Sequence, residues 1–125
     1  MARPRILYIE DNAANLALVR KVLEHGGTWE VVGAATGEEG LALVEADGFA
    51  LVLLDLDLPG IDGIAVARRL RGSSRAATLP ILALSAGVMK HEREQALAAG
   101  CEGFLEKPFD IAELRRLVRE LIGPN

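Results

Sequence analysis

The chain has 125 residues, half of them hydrophobic, which suits one domain around one core and leaves no room for a second. Its 18 acids outnumber its 14 Lys and Arg, giving a net charge of -4, and the two signs are interspersed, which excludes the basic face that direct nucleic-acid binding requires. The single Cys101 excludes an internal disulfide, the N-terminus lacks a signal-peptide segment, and no stretch has the apolar length of a membrane span, so the expected setting is cytoplasmic without membrane insertion.

Short apolar runs alternate with helix patterns along the whole chain, which predicts five βα repeats and a parallel sheet. The first run, Ile6-Leu7-Tyr8-Ile9, ends in Glu10 and Asp11. A helix is predicted from about Ala13 to His25, with Leu16, Val19, Val22 and Leu23 on one face, Asp11 or Asn12 available as its cap, and Gly26-Gly27 as its stop. The second strand is expected over Glu30 to Ala34. Thr36 with Glu39 then forms a capping-box pattern opening a helix through Ala46. Gly48 turns the chain into Leu51-Val52-Leu53-Leu54, a continuous apolar run that reads as a fully buried strand with Asp55 at its exit.

The next helix is predicted from about Gly63 to Arg71, with Asp62 as a turn residue or cap, followed by the polar loop Gly72-Ser73-Ser74-Arg75. Pro80 opens the strand Ile81-Leu82-Ala83-Leu84, which ends in Ser85. The helix near His91 to Ala99 is the least amphipathic, and Cys101 reads as a small buried filler after it. Gly103-Phe104-Leu105-Glu106 ends in Lys107. Asp110 with Glu113 starts a last helix whose core stripe is Leu114, Leu117, Val118, Leu121 and Ile122. His25, placed in the last turn of the first helix, and His91 lie away from the acids at the strand exits.

In a parallel sheet with right-handed crossovers all strand exits lie along one edge, where ligands bind. Taken singly, Glu10 is a strand end, Asp11 a helix cap and Ser85 a loop hydroxyl. Three acids, a hydroxyl and an amine delivered to one edge make a constellation suited to chemistry.

Four motifs carry a resemblance: Ile9-Glu10-Asp11-Asn12, Leu54 to Gly63 with its Asp55, Asp57 and Pro59-Gly60, Leu84-Ser85-Ala86, and Lys107-Pro108-Phe109. In this order and at strand exits they resemble the receiver domain of two-component response regulators, over the whole chain. The resemblance implies a doubly wound α/β fold of flavodoxin-like type. It has a five-stranded parallel sheet in the order 2-1-3-4-5, with five helices on both faces. That order makes the strands ending in Glu10 and Asp55 neighbours, so Glu10, Asp11 and Asp55 converge. Like charges at such range stay ionised together only with a compensating cation, and an all-oxygen site with room for water suits Mg2+.

By the same resemblance Asp55 is the phosphoacceptor, attacking a phosphohistidine on a partner. Mg2+ is held by Asp11, Asp55 and the main-chain carbonyl of Asp57, with Glu10 acting through water. Lys107 stabilises the peripheral oxygens in flight. Ser85 is the switch hydroxyl and Phe104 the switch aromatic, and the Lys107-Pro108 bond is expected to be cis. The Asp57 side chain departs from the usual pattern and adds a negative charge beside the incoming group, which should change the lifetime of the phosphorylated state. Residues 1–125 read as a single receiver domain without an output domain. Its expected partners are a histidine kinase or histidine phosphotransfer protein, docking on Ala13, Ala14, Asn15, Pro108 and Phe109, and a downstream protein target. Lys90, Glu94, Glu106, Arg115 and Arg119 are expected on the output face, or equally on an ordinary solvated surface.

Two alternatives compete. Leu53-Leu54-Asp55-Leu56-Asp57 also resembles the first motif of haloacid-dehalogenase-type phosphatases, in which the second aspartate is a general acid. That family places the motif near the N-terminus, follows it with Thr or Val, and needs further acidic motifs after the lysine. Here Pro59-Gly60 follows, and only Asp110, Glu113 and Glu120 come after Lys107. The other alternative is a receiver-like interaction module that is never phosphorylated, and the complete set of acids, hydroxyl and lysine argues against it.

Overall fold

The apolar runs pair into a parallel sheet of β1 (Arg5–Ile9), β2 (Glu30–Ala34), β3 (Leu51–Asp55), β4 (Ile81–Ser85) and β5 (Gly103–Glu106), in the order β2-β1-β3-β4-β5. The helices between and after them are α1 (Ala13–Glu24), α2 (Gly37–Ala46), α3 (Gly63–Gly72), α4 (Lys90–Ala98) and α5 (Ile111–Ile122). This computed structural model describes residues 3–58, 62–74, 76–86 and 90–123. The expected Pro59-Gly60 turn, Arg75 and the side chain of Lys90 lie outside the described residues.

Alternation along each strand divides the core in two, because successive side chains point to opposite faces of a sheet. Leu7, Ile9, Val52, Leu54, Ile81 and Ala83 pack with Val44 of α2, Val66, Ala67 and Leu70 of α3, and Ala96 of α4. Ile6, Tyr8, Leu51, Leu53, Leu82, Leu84 and Leu105 pack with Val19 and Leu23 of α1 and Leu114 and Val118 of α5. β3 and β4 are buried throughout, as continuous apolar runs in a doubly covered sheet require.

Four helices begin on the side chains that sequence nominates. Asn12 Oδ1 accepts from the Asn15 amide at 2.9 Å, Thr36 Oγ1 from Glu39 at 3.1 Å, Asp62 Oδ1 from Ile64 at 3.0 Å and Asp110 Oδ1 from Ala112 at 2.9 Å. α1 ends at Glu24, one residue short of expectation, with His25 extended beyond it and Gly26 and Gly27 at positive φ (92° and 75°) reversing the chain. α4 starts and stops one residue early, and α3 runs one residue further.

The expected stripe of α5 is only partly buried. Leu114 and Val118 are in the core, whereas Leu117, Leu121 and Ile122 are half-buried. β5 offers that face Leu105 and the bare backbone of Gly103, too little surface to cover the outer rows of the helix.

Candidate functional site

Parallel register aligns the exits of the central strands. Ile9 lies opposite Leu54, Asp55 opposite Leu84, and Ser85 opposite Glu106. The ladder continues past the exits, the Leu56 amide donating to the Leu84 carbonyl (2.9 Å) and the Lys107 amide to the Ser85 carbonyl (2.8 Å). Asp55 and Lys107 are thereby brought face to face, and Lys107 Nζ donates to Asp55 Oδ2 at 2.9 Å. The other oxygen, Asp55 Oδ1, accepts the Asp57 amide at 2.8 Å. The Lys107-Pro108 peptide bond is cis, as the resemblance implies.

Glu10, Asp11 and Asp55 each present a carboxylate oxygen within 4.8 Å of the others. Glu10 and Asp55 are buried at 2% and 3% exposure, while Asp11 is exposed, so the cluster opens to solvent on one side. Asn12, not Asp11, caps α1, which leaves the Asp11 carboxylate to the cluster. Glu10 accepts from the Tyr8 hydroxyl (3.0 Å), the Asn12 amide (3.2 Å) and the Asn15 side-chain amide (3.4 Å). Burial pushes its carboxyl up, and the Asp55 carboxylate adds to that; the Asn12 amide and Tyr8 hydroxyl oppose it without prevailing. Burial likewise raises the Tyr8 phenol, helped by Glu10. Burial works against the Lys107 ammonium, but its hydrogen bond to Asp55 and the charges of Asp55, Glu10 and Asp57 outweigh that and hold it up.

An all-oxygen donor set of three converging carboxylates, one side open to water, fits a hard divalent cation. Repulsion among the three points the same way, since a cation removes the cost of keeping them ionised together.

Two further anions complete the edge. Asp57 Oδ2 accepts the Ala86 amide at 2.9 Å and lies 3.7 Å from Lys107 Nζ. The Ser85 hydroxyl, fully buried, donates to the carboxylate of Glu92 in the first turn of α4. Burial and then the Asp57 charge push the Glu92 carboxyl up. Sequence reasoning missed Glu92, since no spacing rule ties a residue of α4 to the exit of β4. It also missed Tyr8 as a partner of Glu10, although the two-residue spacing puts Glu10, just past the end of β1, on the same side of the extended chain as Tyr8.

The remaining candidates divide. Ala13, Ala14, Asn15 and Pro108 are exposed and Phe109 half-buried. Beside them a cavity of about 230 Å³ is lined by Leu18, Val22, Lys107, Phe109, Ile111 and Leu114 among others. Phe104 is half-buried against the α2–α4 core, with the Arg93 guanidinium 5.9 Å from its ring centre. Asp62 is an α3 cap, as its plain reading holds. Arg115 corrects an expectation: it is half-buried, donates to the Val22 carbonyl of α1 (2.6 Å) and stands over Trp29, so it is committed to the α1 side and belongs neither to an output face nor to an ordinary solvated surface.

The model of the response regulator receiver domain family matches residues 6–119. The sensor protein GacS of Pseudomonas syringae pv. syringae is 36% identical over 123 residues, 96% of this chain; the chain spans 14% of that protein's length. The polar-differentiation response regulator DivK of Brucella ovis is 28% identical over 118 residues, 94% of this chain and 95% of that one. Among solved structures, the receiver domain of the sensor histidine kinase PA1611 from Pseudomonas aeruginosa PAO1, with a magnesium ion coordinated in its active site cleft, aligns with a TM-score of 0.89. It is 33% identical and covers 98% of this chain and 100% of that one.

Proposed function

The chain belongs to the response regulator receiver domain family of two-component signalling, and from that premise we propose that Asp55 accepts a phosphoryl group from a phosphohistidine on a partner protein. The observation that carries this is Asp55 itself: a buried carboxylate hydrogen-bonded to Lys107 Nζ at 2.9 Å, with the Glu10 and Asp11 carboxylates within 4.8 Å. As a receiver it is a phosphoacceptor regulator and not a turnover enzyme.

An oxygen of Asp55 forms the new P–O bond as the P–N bond to imidazole breaks, and the electron pair of that bond returns to the ring nitrogen. The product is an aspartyl phosphate. In a loose transition state charge spreads onto the peripheral oxygens. The Lys107 ammonium faces those oxygens, and the Ser85 hydroxyl donates to one of them. Asp11 and Asp55, with the Asp57 main-chain carbonyl and Glu10 through water, are the residues that would hold Mg2+, which supplies positive charge to a site otherwise crowded with anions. The new anion then favours the backbone arrangement that Ser85 and Lys107 bind best, and Phe104 follows by packing, since it has no phenol oxygen to pass a hydrogen bond.

Receivers partner with histidine kinases. For this chain the donor is a histidine kinase or phosphotransfer protein whose histidine-bearing helix docks on Ala13, Ala14, Asn15, Pro108 and Phe109. The neighbouring exposed side chains Leu18 and Ile111 extend that surface with apolar area. A downstream protein, or the next histidine of a relay, receives the signal. The test is incubation with acetyl phosphate and Mg2+ followed by intact-mass measurement. Wild type gains one phosphoryl mass and Asp55→Asn gains none; no gain in wild type, or an equal gain in the variant, refutes the assignment.

A further inference from the structure

The Ser85 hydroxyl carries one proton and donates to one anion at a time. In the structure that anion is the carboxylate of Glu92. Resting on the phosphoacceptor reading above, we propose that Glu92 is a latch: a carboxylate of the chain's own that occupies the switch hydroxyl before phosphorylation, and whose displacement by the phosphoryl group releases the first turn of α4.

The position of Glu92 on the helix makes the contact consequential. Ala96 and Ala99, four and seven residues further on, are buried at 0% and 6% exposure, so Glu92 occupies the leading place of the inward row. Ala96 in the later part of α4, and Ala99 just past its end, anchor that end of the helix in the core. The first turn carries no apolar anchor at 92; it carries the Glu92 contact to Ser85 instead.

A second contact from the next residue points the same way. The guanidinium of Arg93 lies 5.9 Å from the ring centre of Phe104 on β5, so adjacent residues of one turn touch the hydroxyl on β4 and the aromatic on β5. A phosphoryl oxygen arriving at Ser85 meets a hydrogen bond that must be given up. The doubly charged group also repels the Glu92 carboxylate, which is crowded already by Asp57. The turn that carries both contacts is thus coupled directly to the chemistry.

Amide hydrogen exchange in α4 tests this, read in wild type, Glu92→Ala and Glu92→Gln, each with and without acetyl phosphate and Mg2+, with intact mass taken from the same samples. In wild type, phosphorylation speeds exchange of the Glu94 to Leu97 amides, which donate to the carbonyls of the first turn of α4, on the order of tenfold, the weight of one charge-assisted hydrogen bond. Glu92→Ala exchanges at that faster rate before phosphorylation and changes little afterwards. Glu92→Gln, which keeps an acceptor but no charge, falls between. Exchange in β1, β3 and β4 stays at wild-type rates if the variants are folded. Wild-type exchange of α4 in unphosphorylated Glu92→Ala, or an undiminished rise on phosphorylating it, overturns the latch. Phosphoryl mass gained by wild type without a change in α4 overturns the latch alone, and no mass gained overturns the phosphoacceptor reading with it.

Discussion

Asp57 stands where an anion is least welcome, and replacing it by Asn isolates the effect of its charge. The side chain keeps its shape and an oxygen for the Ala86 amide, but the interaction of Asp57 Oδ2 with Lys107 Nζ across 3.7 Å loses its ionic part. Unit charges at that distance interact by about 1 kcal/mol in water and about 4.5 kcal/mol at an effective dielectric of 20. The two side chains are 25% and 41% exposed, so the lower end applies, discounted further to about 0.5–1 kcal/mol for screening. In the proposed reaction Lys107, released from Asp57, would serve the incoming phosphoryl group, and Asp57 would no longer repel it. Asp57→Asn should therefore take up phosphoryl from acetyl phosphate about two- to fivefold faster than wild type, both saturated with Mg2+. The gain should persist at about 0.1 M salt and shrink near 1 M, where the screening length falls to about 3 Å. The assay is the initial rate of phosphoryl mass gain. A rate equal to or below that of wild type at low salt would refute the reasoning.

Two further predictions concern stability. Arg71 donates to the carbonyls of Ala76 (2.8 Å), Leu79 (2.6 Å) and Gly100 (2.7 and 2.9 Å) and to the Glu102 carboxylate, tying the end of α3 to the loops on both sides of β4 and α4. Lysine lacks the planar fork, so Arg71→Lys should lose about 2–3 kcal/mol, read as a lower urea midpoint at unchanged slope, and an unshifted midpoint would show that those bonds contribute nothing net. Burial pushes the Cys101 thiol up from 9.0 to about 11, a raised folded-state value. The unfolded chain therefore holds fewer protons above pH 9.0, and the stability that the protonated thiol contributes is lost as pH climbs toward about 11. Relative to Cys101→Ala, whose thiol is gone, wild type should lose urea resistance across that window; parallel curves would contradict the shift.

The sheet was legible in the sequence because its signals are local and redundant. Leu51 to Leu54 and Ile81 to Leu84 are apolar without a break, as strands covered on both faces must be, and Asn12, Thr36, Asp62 and Asp110 announce the helices they cap. Asp55 and Lys107 were legible for a related reason. Asp55 closes β3 and Lys107 sits one step beyond β5, and parallel register brings such residues together. What sequence left hidden depends on tertiary contact. Glu92 reads as one of several charges on the weakest amphipathic helix, and only the packing of α4 against the sheet brings it to Ser85. Arg115 reads as an exposed charge, yet its long stem lets it cross to the Val22 carbonyl, a reach no periodicity encodes. The outer rows of α5 satisfy the helical pattern fully, but burial also requires a surface to receive them, and β5 supplies little.

Of the several carboxylates at this edge, one is proposed to take the phosphoryl group. Borohydride reduces an aspartyl phosphate to homoserine at the residue that carried it, so treating the phosphorylated protein and sequencing its peptides identifies the acceptor directly. Homoserine is expected at position 55, dependent on Mg2+ and absent from Asp55→Asn. Homoserine at position 11 or 57, or at none, would contradict the assignment to Asp55.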